Sequence, residues 1–201
     1  TDKKTRLSEY ANPRSTGIKA IKDESGDELM DVQITTGTND IVIATKHGLS
    51  VRFHESDVRE MGRDTTGVKG IELRKDDSVV GMVVIKREAT LLVVTENGLG
   101  KCSHIDEYRV QKRGGKGILT LNRTAKTGDV VTIMEVLPED EIMLITKQGV
   151  IIRSSVAQIR VTGRIAQGVK LVQLDQGVAV TAVVRVVSED RGPCGAEELG
   201  G

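Results

Sequence analysis

The chain has 201 residues, with 29 Lys and Arg against 29 Asp and Glu. The formal net charge of zero excludes a uniformly basic protein, so a site for a polyanion would have to come from segregated charge. Two cysteines are too few for a disulfide framework, no apolar run reaches the roughly 18 residues of a membrane-spanning helix, and with no Trp, one Phe and two Tyr the core must be aliphatic.

The N-terminal residues lack the apolar stretch of a signal peptide and an initiator Met, which points to a fragment of a longer protein. Residues 5–9 read as a terminal strand and 18–21 as a short apolar strand. Residues 29–34 alternate in polarity after the Gly26-Asp27 turn signal, as a strand does. Residues 40–45 and 49–53 are β-rich runs separated by Lys46-His47-Gly48, a tight hairpin signal. The best helical window, 56–61, is only about a turn and a half.

The same texture then returns. Residues 78–85, 90–95 and 99–103 repeat it around Asn97-Gly98, and 130–137, 141–146 and 150–154 around Gln148-Gly149. Gly17, Gly67, Gly117 and Gly168 open the periods at a spacing of about fifty residues. Arg63, Arg113 and Arg164 each stand four residues before an opening glycine. Lys19, Lys69 and Lys170 stand two after one, and Leu119 breaks that column. Four short strands per period of about fifty residues predict an all-β, propeller-like fold of four-stranded antiparallel blades. A parallel α/β fold has no room for its crossovers. The expected division is a strand in 1–16 completing a preceding blade, blades at 17–66, 67–116 and 117–167, a partial blade at 168–187, and a short acidic, Gly-rich, disordered tail at 188–201.

Charge is segregated. Acids crowd into Asp23-Glu24, Asp27-Glu28, Asp76-Asp77 and Glu139-Asp140-Glu141, while cations recur where one period meets the next. The densest such junction is Gln111-Lys112-Arg113-Gly114-Gly115-Lys116-Gly117, with three glycines, three cations and no acid. An exposed turn of this kind offers backbone amides and side-chain charge to phosphate oxygens. The candidate phosphate contacts are therefore residues 111–117 with Lys19, Arg63, Lys69, Arg164 and Lys170. His54 and His104 are in phase, but equivalent positions on neighbouring blades should lie roughly 10 Å apart, too far for one zinc ion. Three aromatic residues cannot build the stacking platforms of a single-strand binder. No P-loop, nucleophile elbow or CxxC is present, so an independent enzyme is the weakest reading.

These residues carry a resemblance. Residues 111–117 are close to the box Gln-Arg-Arg-Gly-Gly-Lys-Gly that marks DNA gyrase A subunits, with Lys112 where the box has Arg, which keeps the charge and loses the fork. Ser8-Glu9-Tyr10, Asp106-Glu107-Tyr108-Arg109, residues 52–71 and residues 162–171 are similar to runs of the same family. Over roughly residues 3–187 the chain resembles the later part of the gyrase A C-terminal domain, the β-pinwheel that wraps DNA. The resemblance implies binding of duplex DNA without sequence preference around the outer edge, with residues 111–117 a later copy of the box. It implies a cytoplasmic, nucleoid-associated place in an A2B2 assembly with the gyrase B subunit. The catalytic tyrosine and the sites for ATP and Mg would lie elsewhere in the holoenzyme, leaving no cofactor, metal or catalytic residue in this fragment. The alternatives are the related topoisomerase IV A subunit, which usually lacks the box, and a propeller-like scaffold for protein partners.

Overall fold

The computed structural model describes residues 1–22 and 26–186 of the chain. Each apolar run split by an x-Gly turn folds as an antiparallel hairpin: β1 (Asp40–Thr45) with β2 (Leu49–His54), then, after β3 (Val79–Ile85), β4 (Thr90–Thr95) with β5 (Leu99–His104). A two-residue β6 (Ile118–Leu119) and the longer β7 (Val130–Val136) precede the third hairpin, β8 (Glu141–Thr146) with β9 (Ile151–Ser155). The two-residue β10 (Val169–Lys170) and β11 (Val180–Val186) end the described chain. Single 3-10 turns follow the hairpins at Glu55–Asp57, Ile105–Glu107 and Val156–Gln158, so the helical window at 56–61 amounts to one such turn. No helix among the described residues is long and apolar enough to cross a membrane.

The strands form three sheets, ordered β3-β1-β2-β6, β10-β5-β4-β7 and β11-β8-β9. Each hairpin receives a long strand from the next period. The first two also receive a two-residue strand from the period after that. The sheets therefore straddle the sequence periods 17–66, 67–116 and 117–167. The long strands β3, β7 and β11 pack on one another in turn, so they form the inner side. The two-residue strands lie at the opposite edge of each four-stranded sheet, the rim.

The strands β1 and β4 are apolar on both faces because each is sandwiched. Val42 and Ala44 of β1 join Leu91 and Val93 of β4, with Tyr108, in one core, while Ile41 and Ile43 join Val51 and Phe53 in another. Leu92 and Val94 face Ile142 and Leu144 of the third sheet. A strand covered on both sides reads as a continuous apolar run, which is the pattern at 40–45 and 90–95.

Three expected strands do not form. Residues 18–21 and 29–34 are outside regular structure. Every observed long strand pairs with the hairpin of the preceding period, and no such hairpin stands before 29–34 in this chain; Leu29, Met30, Val32 and Ile34 are accordingly exposed. In place of a strand at 5–9, Asp2 and Lys4 make isolated bridges to Val68 and Glu60, followed by a 3-10 turn at Leu7–Tyr10. These bridges repeat the pairing of Ser50 with Ile118 and the parallel bridge of Arg52 with Val110. Asp2 and Lys4 thus stand to Val68 and Glu60 as Ser50 and Arg52 of β2 stand to Ile118 and Val110. The tail expected to be disordered, 188–201, lies outside the described residues.

Candidate nucleic-acid interface

The opening glycines create the rim. Gly67, Gly117 and Gly168 all have positive φ. A Cβ on them would stand 2.5 Å from the Asp2 carbonyl oxygen, 2.6 Å from that of Ser50 and 2.4 Å from that of Gly100. Only glycine fits both the conformation and the approach. The residue two further on is carried to the outermost strand: Leu119 ends β6, Lys170 ends β10, and Lys69 follows the bridging residue Val68. Lys19, Lys69 and Lys170 are exposed, as are Lys112 and Lys116 in the turn before Gly117. Lys69 lies 3.7 Å from Glu72, and Lys170 donates to the Gln173 side chain at 2.8 Å. Both are solvent-facing contacts of the kind that contributes little.

The arginine column sits differently. All three arginines are half-buried, and their guanidinium groups donate to main-chain oxygens. Arg63 Nη1 donates to the Lys19 carbonyl at 3.2 Å, Arg113 Nη1 to that of Lys69 at 2.5 Å, and Arg164 Nη1 to that of Leu119. Arg113 Nε also reaches the Asp57 carbonyl at 3.2 Å, and Arg164 Nε that of Glu107 at 3.0 Å. Arg63 Nε is buried without a partner among the described residues. The main chain closes the same junctions: the amides of Lys22, Glu72 and Asn122 donate to the carbonyls of Thr65, Gly115 and Ile165.

In the box turn, Gln111 is tied back through its amide to the Arg52 carbonyl at 2.7 Å, and Gly114 through its amide to that of Gly70 at 2.7 Å. The Gly115 and Lys116 amides make no backbone hydrogen bond among the described residues. The turn therefore offers two amides beside the exposed Lys112 and Lys116 heads, while its first half is fixed to the sheet.

Two lysines, the buried Lys101 and the half-buried Lys3, hold these junctions and were not singled out by sequence reasoning. Lys101 Nζ donates to the Arg164 carbonyl at 2.6 Å, the Gly163 carbonyl at 3.4 Å and the Ser103 hydroxyl at 2.7 Å. Burial pushes its pKa down to about 8; the Glu107 carboxylate opposes that shift and the Arg164 guanidinium adds to it. Lys3 takes the equivalent place two periods earlier, donating to the carbonyls of Arg63 and Ala20. The signal was a lysine inside β5, whose residues 99–103 are otherwise uncharged. Of the histidines, His54 bonds the Ser56 hydroxyl and His104 is exposed, and no cluster among the described residues could hold a metal ion. Tyr108 is fully buried, bonded to the Thr120 hydroxyl at 2.7 Å.

Comparison with known proteins places this geometry. The sequence model described as "DNA gyrase C-terminal domain, beta-propeller" matches residues 3–36, 39–86, 89–136 and 140–186. The last three of these units each hold a hairpin and the long strand that joins it. The DNA gyrase A subunit of Staphylococcus epidermidis is 45% identical over 190 residues, which is 94% of this chain and 21% of that protein. The Staphylococcus aureus protein is 45% identical over 192 residues, 94% of this chain and 22% of the relative. The chain thus spans about a fifth of the length of these curated relatives. Among solved structures, a DNA topoisomerase IV C-terminal domain superposes with a TM-score of 0.86 at 27% identity, over 92% of this chain and 58% of the other. A DNA gyrase A C-terminal domain gives 0.79 at 28% identity, over 86% and 59%. With its repeats matched throughout, the chain belongs to the family of DNA gyrase A C-terminal domains.

Proposed function

We propose that the chain binds and wraps duplex DNA without sequence preference along its rim, as part of a DNA gyrase A subunit. The observation that carries this reading is the exposure of Lys19, Lys69 and Lys170, each two residues after an opening glycine, together with Lys112 and Lys116 in the turn before Gly117, the period in which Leu119 replaces the lysine. Successive cations meeting successive phosphates release counterions, which is backbone-plus-deformation binding. Bending the duplex costs several kcal/mol, which contacts distributed over the rim must offset. Wrapping of fixed handedness presents a DNA segment to a cleavage gate, and ATP-driven strand passage then introduces negative supercoils. The gate, the ATP and Mg sites and the gyrase B subunit of an A2B2 assembly belong to the rest of this cytoplasmic enzyme, a type II topoisomerase.

The topoisomerase IV A subunit is the second reading, because its C-terminal domain is a near structural neighbour. The box turn at residues 111–117 favours gyrase. The test is affinity for a linear duplex of about 40 base pairs, measured over a range of salt concentrations. Replacing Lys69, Lys112, Lys116 and Lys170 by Ala should weaken binding to every sequence alike, with the salt slope falling by about 1 for each phosphate ligand removed. Affinity and slope equal to those of the parent would overturn the proposal.

A further inference from the structure

We propose that Arg63, Arg113 and Arg164 are clasps between successive periods that set the position of the rim lysines, rather than ligands of DNA phosphate. The part concerning lysine position rests on the DNA-wrapping reading; the clasp itself does not.

Each of the three arginines donates through Nη1 to the carbonyl of the residue two after the preceding opening glycine: Lys19, Lys69 and Leu119. The Leu119 case is decisive about what the bond recognises. Where the lysine column is interrupted, the arginine still takes the carbonyl, so its target is the rim backbone and not a neighbouring charge. Arg113 and Arg164 use a second arm of the fork, Nε, on the carbonyls of Asp57 and Glu107 at the ends of the 3-10 turns. One planar group thereby ties the rim strand to the chain that leaves the preceding hairpin. An ammonium on a flexible stem lacks this pre-set fork. Leu119 ends the edge strand β6, so at that junction the guanidinium also satisfies an edge carbonyl that would otherwise face outward. Holding the carbonyl of Lys69 fixes the backbone from which the Lys69 side chain projects.

Four variants of the full chain test this. Arg113→Lys and Arg164→Lys keep the charge and lose the fork. Each should lower Tm by roughly 3–6 °C. Arg113→Lys should also speed hydrogen exchange at the Gly114 and Glu72 amides, and Arg164→Lys at that of Asn122, because these amides close the same junctions. Arg63→Lys, with a single carbonyl bond at stake, should do less and keeps a folded variant in the set. Arg113→Gln should lower Tm as Arg113→Lys does and leave the salt slope of binding to a linear duplex unchanged. Full retention of Tm and exchange protection in the lysine variants overturns the proposal. So does a fall of about 1 in the salt slope of Arg113→Gln, which marks the removal of a phosphate ligand. If the parent itself shows no salt-dependent DNA binding, the wrapping reading fails, and Tm and exchange alone decide the clasp.

Discussion

Lys101 Nζ lies 2.6 Å from the carbonyl oxygen of Arg164, so a buried lysine on one sheet holds the turn that carries a rim arginine. Lys101 is fully buried and has no carboxylate partner in hydrogen-bond contact among the described residues; its neighbours there are two carbonyls and a hydroxyl. Such neighbours accept from the ammonium but do not replace its hydration fully, which is why burial dominates its shift.

The folded pKa of about 8 lies below the lysine value of 10.5, so between these limits the unfolded chain binds the proton that the folded chain has released. Stability should therefore rise as pH increases from about 8 towards 10.5, and the cost of charging Lys101 should be fully present below 8. A shift of this size corresponds to roughly 3 kcal/mol at most. Urea melts of the parent and of Lys101→Met at several pH values between these limits check it. The rise should be present in the parent and absent from the variant; equal slopes would refute the assignment.

At Glu55 the fold favours the charged form, where at Lys101 it disfavours it. Its buried carboxylate accepts from the amides of Gly37 and Asn39 at 2.8 and 2.7 Å and from the Thr35 hydroxyl at 2.7 Å, with Lys4 at 3.9 Å. Burial alone would raise its pKa; the Asn39, Thr35 and Gly37 bonds and the Lys4 charge outweigh it, so the net shift is downward. Its contribution is present above the unfolded value and is lost as pH falls through the lower folded value. Glu55→Gln should cost about 1–3 kcal/mol at neutral pH, because hydrogen bonds to charge are among the stronger ones. It should also flatten the loss of stability on acidification below the ordinary glutamate range. Circular-dichroism melts at neutral and acid pH measure both.

Two opening glycines separate conformational strain from steric contact. Gly17 and Gly117 both have positive φ, but a Cβ meets nothing within 4 Å at Gly17 and the Ser50 carbonyl oxygen at 2.6 Å at Gly117. Gly17→Ala should cost about 1–2 kcal/mol, the left-handed penalty alone. Gly117→Ala adds a clash with backbone that cannot swing away, and β6 should leave β2. A Tm loss for Gly117→Ala no larger than that for Gly17→Ala would contradict this.

The hairpins were legible because their signal is local: an apolar run, an x-Gly pair and a second run. The glycine column was legible for a related reason, since positive φ and a carbonyl at contact distance leave one residue type. The membership of each sheet was not. A periodic sequence looks the same wherever the period is started, and only long-range pairing reveals that β3 joins β1 across Gly67. The bond of Arg113 to the Lys69 carbonyl was not legible, because a guanidinium in a basic turn reads alike whatever oxygen its fork meets. Residues 29–34 carry a strand pattern that no partner in this chain completes.

The box turn allows a final test in which adjacent glycines behave differently. Gly114 has φ of +78° and would place a Cβ 3.3 Å from the Lys69 carbonyl oxygen. Gly115 has ordinary φ, and its nearest neighbour would be the Lys112 carbonyl oxygen at 3.5 Å, a normal contact. Gly114→Ala should therefore strain the turn and lower Tm, and its effect on DNA would not separate stability from contact. Gly115→Ala should leave stability within about 0.5 kcal/mol of the parent, as surface changes away from caps and strain do. If phosphate approaches the bare Gly115 and Lys116 amides, the added methyl group obstructs that approach, and duplex affinity should fall while the salt slope, set by the cations, stays nearly constant. Unchanged affinity in Gly115→Ala would assign the turn's contact with DNA to the Lys112 and Lys116 heads alone.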